Sequence, residues 1–368
     1  MNLIQVERDL LLAPLQAVSG VVERRHTLPI LSNVLVELGS GQLSLTATDL
    51  EIQVVARAEC AAGAEAQSTT VSARKLQDIL RALPEQASVS LELQDKRLQL
   101  KAGRSRFSLQ TLPAQDFPKV AAGAQPGAVA VLPQRDLRRL LALVQYAMAQ
   151  QDIRYYLNGL LLSLSEDGLT VVATDGHRLA LATLAVALEV PKTEVILPRK
   201  AILELAKLLG DTEESVNVRV LENQVAFSFG SISFVSKVVD GKFPDYNKVI
   251  PTGYAKRITL ERDTLQQALQ RAAILSNEKF RGVRWVLTSH SLRIICTNSD
   301  QEEAEEQLEV DYSGDALDIG FNVSYLLDVL ANLQCKQVEC ALGDSNSSML
   351  MSIPGEADFK YVVMPMRI

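Results

Sequence analysis

A chain of 368 residues with 47% apolar and 22% charged side chains can bury real cores, most naturally in two or three domains, and is no disordered polymer. The opening stretch MNLIQVERDLLL carries charges too early for a secretion signal, and the apolar run 179–188 is too short to span a bilayer, so a cytoplasmic setting is expected. The net charge of −7, if spread evenly, argues against nucleic acid. Cys60, Cys296, Cys335 and Cys340 form no CxxC pair and His26, His177 and His290 lie far apart, so neither a disulfide framework nor a metal or cofactor site is expected.

In chain order, a helical pattern begins at Glu7 (ERDLLLAPLQAVSGVV), with Pro14 placed to kink or shorten it. GQLSLTATDLEIQVVARAE then reads as strand, Thr-Asp turn, strand. Apolar spacing at Leu76, Ile79, Leu80 and Leu83 predicts a helix over 73–83, RLQLKAGRSRFSLQTL a hairpin, and QDFPKV a closing segment. The same order then returns. Leu137, Leu140, Leu141, Val144 and Met148 predict a helix over 134–149, followed by DGLTVVATDGHRLALATL, a helix over 198–209, the strands of VNVRVLENQVAFSFG, and GKFPDYNKV. A third round runs from a helix over 261–275 through HSLRIICTNSDQEEAEEQLEV and a helix over 322–333 to the terminal FKYVVMPMRI.

The chain is thus a tandem array of three α+β units of about 120 residues, expected at 1–127, 128–254 and 255–368, with Gly/Pro-rich joints at 121–129 and 251–257. Asp49, Asp175 and Asn298 fall at the same turn of each unit, spaced by roughly 125 residues. Asp175 and His177 could be half of a catalytic relay, but the other two turns have no following histidine. A turn-forming role explains all three positions, because Asp and Asn side chains bond nearby backbone N–H groups.

Charge is not evenly spread. Three helical segments each carry three bases against one acid (Arg74, Lys75, Arg81; Arg135, Arg138, Arg139; Arg199, Lys200, Lys207), and the other three balance, so the rest of the chain is strongly acidic. Helices sharing a basic surface would suit phosphate contact without sequence readout. The run 95–107 is basic and the run 300–311 acidic, at opposite ends of the array, which favours head-to-tail association.

Over QDIRYYLNG (151–159), ATDGHRLA (173–180), KFPDY (242–246), AAILSNEKFRGVR (272–284), FNVSYLLDVL (321–330) and YVVMPMRI, the chain resembles the bacterial DNA polymerase III beta subunit, the replicative sliding clamp. The resemblance covers all three units. It implies a clamp fold in which two copies close head to tail into a ring, helices inside and sheets outside, around double-stranded DNA. It implies no catalytic activity; the ring tethers the polymerase III catalytic subunit, the clamp loader and other replication and repair proteins through short peptide motifs.

Carried over by position, the resemblance implies DNA contacts at Arg25, Arg74, Gln151, Tyr155, Tyr156, Arg199 and Lys200. It implies a partner-peptide pocket whose first part is Leu157, Thr174, Gly176, His177, Arg178, Leu179, Pro244, Val249, Val362 and Met364. The second part is Tyr156, Asn346, Ser348, Val363, Pro365, Met366 and Arg367. It implies a dimer joint with Lys75, Arg97, Arg104, Arg106, Phe107 and Leu109 facing Ile274, Leu275, Asp300, Glu302, Glu303 and Glu306. The alternatives are a specialised clamp paralogue, such as a drug-resistance variant, and a hydrolase using Asp175 and His177.

Overall fold

The computed structural model describes residues 2–23, 28–60, 66–120 and 127–368. Among them are six α-helices, each entered directly from a six-residue strand. Asn2–Glu7 leads into α1 (Arg8–Ser19), and Gln67–Ser72 into α2 (Ala73–Ala82). Ala128–Pro133 leads into α3 (Gln134–Val144), and Thr193–Pro198 into α4 (Arg199–Leu208). Lys256–Glu261 leads into α5 (Arg262–Ala272), and Leu317–Asn322 into α6 (Val323–Asn332). The last strand residue caps two of them. Ser72 Oγ accepts the Lys75 N–H at 3.5 Å, and Asn322 Oδ1 accepts that of Ser324 at 2.9 Å. Pro14 lies within α1. Helix α1 runs through it, the proline itself buried, because burial of Leu11, Leu15 and Val18 offsets one missing backbone bond.

The chain forms two compact bodies, one from Met1–Arg135 with Leu203–Val238, the other from Asp136–Ile202 with Val239–Ile368. This division cuts through the second sequence unit, because its strands are shared between two sheets, one continuous with the first unit and the other with the third. In the first body, a single twelve-stranded antiparallel sheet contains a join in which Ile52–Glu59 pairs with Ile232–Lys237, Gln53 opposite Val235. In the second body, an eight-stranded sheet contains the matching join. There Arg178–Ala185 pairs with Phe359–Val363, Leu179 opposite Val362. A four-stranded sheet completes that body and has Glu303–Glu309 on its edge.

All three predicted turns form as read. Asp49 Oδ1 accepts the N–H groups of Glu51 and Ile52 at 2.9 and 2.7 Å, and Asp175 Oδ1 those of His177 and Arg178 at 2.9 and 3.0 Å. Asn298 Oδ1 accepts those of Asp300 and Glu302, both at 3.0 Å, in a turn one residue longer. The helix faces follow the charge pattern. Leu76 and Leu80 of α2 are buried while Arg74, Lys75 and Arg81 are exposed.

Candidate binding cleft

The second body holds an apolar cleft of about 210 Å³ at the end of its strand join. The turn after Gly168–Thr174 builds one wall. Thr174 Oγ1 accepts the Gly176 N–H at 3.1 Å and donates to the Arg178 carbonyl at 2.6 Å. Gly176 sits at φ 90°, and a Cβ there would come within 2.8 Å of Arg154 Nη1, so glycine lets the Arg154 guanidinium pack close against this wall. The chain end borders this wall. Beyond Phe359–Val363, the Met364 N–H donates to the His177 carbonyl at 2.9 Å, and the Met366 N–H to the Gly320 carbonyl at 2.8 Å. The terminus is therefore stitched to the turn at His177 and to the strand Leu317–Asn322. Below lies a cluster of Leu161, Val172, Leu179, Leu181, Ile196, Phe243 and Val362, with Tyr156, Tyr246 and Ile250 packed against it.

All ten residues of the first part of the expected pocket line this cleft, as does Tyr156. Asn346, Ser348, Val363, Pro365, Met366 and Arg367 lie outside it. Val363 departs most. Strand alternation turns it to the other sheet face, where it is 0% exposed, while Val362 faces the cleft. Arg154 and Tyr246 line the cleft and escaped the sequence reading, although both fall inside quoted motifs, QDIRYYLNG and KFPDY.

Arg154 belongs to a braced loop. Its guanidinium donates to both Asp152 oxygens, at 3.0 and 2.8 Å, and to the Asp175 carbonyl at 3.1 Å. Those side-chain bonds and the Arg154 backbone N–H hold the Asp152 carboxyl down at about 2. The Asn158 amide both accepts from the Asp152 N–H and donates to the Asp152 carbonyl, at 2.9 and 2.8 Å. The loop presents Ile153, 96% exposed, and Tyr155, 59% exposed, away from the cleft.

The Asp175–His177 relay has no geometry behind it. Asp175 Oδ1 is taken by two backbone N–H groups and Oδ2 by Arg178 Nε at 3.1 Å, and its contact with His177 is to the main chain. Arg178 is itself almost buried. It donates to Asp328 Oδ2 at 2.6 Å and to the Tyr146 carbonyl at 2.6 Å, and lies over the Tyr325 ring at 4.4 Å. Burial opposes its charge, but the Tyr361 hydroxyl together with the Asp328 and Asp175 carboxylates outweighs that and raises its pKa above the ordinary arginine value.

Of the residues expected at DNA, Arg25 lies outside the described residues. Arg74 is exposed in the first body, 3.7 Å from Asp78. Gln151, Tyr155, Tyr156, Arg199 and Lys200 lie in the second body, where Arg199 is partly committed, donating to the Met148 carbonyl at 3.0 Å. Of those expected at a dimer joint, Lys75, Arg97, Arg104 and Arg106 are exposed and Phe107 and Leu109 half-buried in the first body. In the second body Ile274 is 78% exposed, and Asp300, Glu302 and Glu303 are exposed. Glu306 is already held within the chain, in a two-pronged pair with Arg271 at 2.8 and 2.7 Å that lowers its pKa.

Three family models match in succession: the N-terminal domain of the DNA polymerase III beta subunit over residues 1–121, the central domain over 131–245 and the C-terminal domain over 247–367. The beta sliding clamp of Pseudomonas putida is 51% identical over 365 residues, and that of Escherichia coli 47% over 363, each match covering 99% of both chains. The crystal structure of the DNA polymerase III subunit beta from Pseudomonas aeruginosa superposes over 100% of both chains, with a TM-score of 0.96 and 49% identity. A clamp structure from the same organism bound to griselimycin gives 0.95 at 49% identity. The chain belongs to the DNA polymerase III beta subunit family, the sliding clamps, which are non-catalytic processivity factors of α+β clamp fold.

Proposed function

We propose that two copies of this chain close head to tail into a ring around duplex DNA. The apolar cleft then tethers the polymerase III catalytic subunit, the clamp loader and other replication and repair proteins by short peptides, in the cytoplasm at the nucleoid. The domains are assigned as 1–127, 128–254 and 255–368, close to the three family segments. The observation that carries the reading is the cleft, apolar in floor and walls, with Met364 at its mouth. A thioether repacks easily, which suits a site shared by several peptides.

The ring reading is supported by the rule of the two internal joins, in which the strand after each turn pairs with the last strand of the next unit. The third unit's post-turn strand, Glu303–Glu309, has an open edge, and Ser105–Leu112 pairs on one side with Arg97–Ala102 and on the other only through Thr111 and Leu112. Transferring the register of Gln53–Val235 and Leu179–Val362 sets Glu303 of one copy opposite Ser108 of the next, and Glu305 opposite Arg106. Opposite charges then meet across the joint, beside Phe107, Leu109, Ile274 and Leu275.

For DNA, the reading rests on the bases exposed on α2 and α3, Arg74, Lys75, Arg81, Arg135, Arg138 and Arg139. The test is retention: rings loaded onto a nicked circle should stay through a salt wash and leave when the circle is cut. Equal loss from circular and linear DNA would overturn the encircling reading.

A further inference from the structure

We propose that Asp328, on α6, is a positioning residue for the cleft: it holds the Arg178 guanidinium that fixes the Thr174–Arg178 turn. The proposal rests on reading the cleft as a peptide site. Asp328 does not line the cleft. It acts through Arg178, whose side chain is 9% exposed. Arg178 Nη1 donates to Asp328 Oδ2 at 2.6 Å, while Arg178 Nε donates to Asp175 Oδ2 at 3.1 Å. That second bond orients the Asp175 carboxylate so that Oδ1 faces the His177 and Arg178 N–H groups. The chain of contacts thus runs from α6 to the wall of the cleft. Without the Asp328 carboxylate, Nη1 of a nearly buried guanidinium loses its charged partner, and the guanidinium must shift to find another.

The arginine is particular to this strand join. At the other join Ile52 stands in the place of Arg178, third after the turn aspartate, and is 1% exposed. An arginine braced by a carboxylate from the next unit is found at the join that carries the apolar cleft. The Asp328 side chain is 45% exposed, and its carbonyl, not its carboxylate, accepts the Asn332 amide at 2.9 Å, so α6 does not depend on the charge.

The test compares wild type, Asp328→Asn and Asp328→Glu. The readouts are calorimetric titration with a synthetic decapeptide ending Leu-Phe, amide exchange at His177 and Arg178, and sedimentation. Asp328→Asn should weaken the peptide about three- to tenfold and speed exchange at both amides, with sedimentation unchanged. Asp328→Glu should recover most of the affinity. Wild-type affinity in Asp328→Asn, or unchanged exchange, overturns the proposal alone. A wild-type protein that binds no peptide overturns the cleft reading, and the proposal falls with it.

Discussion

The Met364 N–H donates to the His177 carbonyl at 2.9 Å, and at the other join the Lys237 N–H donates to the Glu51 carbonyl at 2.8 Å. The two bonds are equivalent: each follows a strand pair and meets the second residue after a turn aspartate. The backbone is therefore the same at both joins, and side chains decide which becomes an apolar cleft. Gly176, His177 and Met364 stand at one; Leu50, Glu51 and Lys237 at the other, where Lys237 and Glu51 also pair at 3.1 Å.

Deleting residues 364–368 should abolish peptide binding and processive synthesis while leaving the dimer intact, because the joint proposed for the ring uses other strands. Burying one or two large apolar side chains contributes roughly 1.5–3 kcal/mol each, so a lone peptide should bind wild type only in about the micromolar range. Calorimetry beside sedimentation of the truncated protein decides it. Full affinity in the truncated ring would sink the assignment of the cleft.

The ring joint makes a second prediction. Ile274→Ala with Leu275→Ala should give folded monomers at submicromolar concentration. Ser108→Cys with Glu303→Cys should cross-link two chains under mild oxidation, since the transferred register sets these residues opposite one another. A cross-link obtained equally with Arg104→Cys in place of Ser108→Cys would show that the register is wrong.

Binding to linear duplex should be weak, indifferent to sequence and steeply reduced by salt. Arg74→Ala should lower affinity by a similar factor on every sequence tested. A strong preference for one sequence in competition would rule out a ring lining built on phosphate contact.

The repeat, the turns and the helix faces were all legible because each is set by local chemistry: an Asx side chain bonding its own backbone, or apolar residues at helical spacing. The fusion of units into two bodies was not. It depends on Arg178–Ala185 meeting Phe359–Val363, residues far apart in the chain whose pairing no local pattern announces. Val363 misled because a pocket carried over by position ignores which face of the strand each residue takes. Glu306 looked available because its partner, Arg271, lies on a different element.

The braced loop has a pH signature. An ordinary Asp titrates near 3.9, whereas the Asp152 carboxyl is held at about 2. A folded pKa below the unfolded one means the bracing is present above about pH 4 and is lost as pH falls toward 2. Carboxyl resonances followed by NMR should give Asp152 a midpoint near 2, and Arg154→Ala should raise it. An Asp152 midpoint already in the ordinary range in wild type would mean that the Arg154 fork does not persist in solution.

Gly320 connects the chain end to α6. A Cβ there would lie 2.4 Å from the Met366 carbonyl oxygen and 2.6 Å from Ile368 Cδ1, too close for any real contact, and one of these is backbone that cannot simply swing aside. Gly320→Ala should therefore push residues 366–368 off the strand Leu317–Asn322 and break the Met366 N–H bond to the 320 carbonyl. Strand pairing on both sides of the cleft floor would survive, since Leu179–Val362 lies upstream of the displaced segment. The expected result is a folded, dimeric protein with near-normal melting, weaker peptide binding, and faster amide exchange at Met364 and Met366. The loss should be smaller than that of the full 364–368 deletion, because Met364 keeps its bond to His177. Peptide affinity equal to wild type, with exchange at Met366 raised, would mean that the stitched terminus beyond Met364 contributes nothing to the cleft.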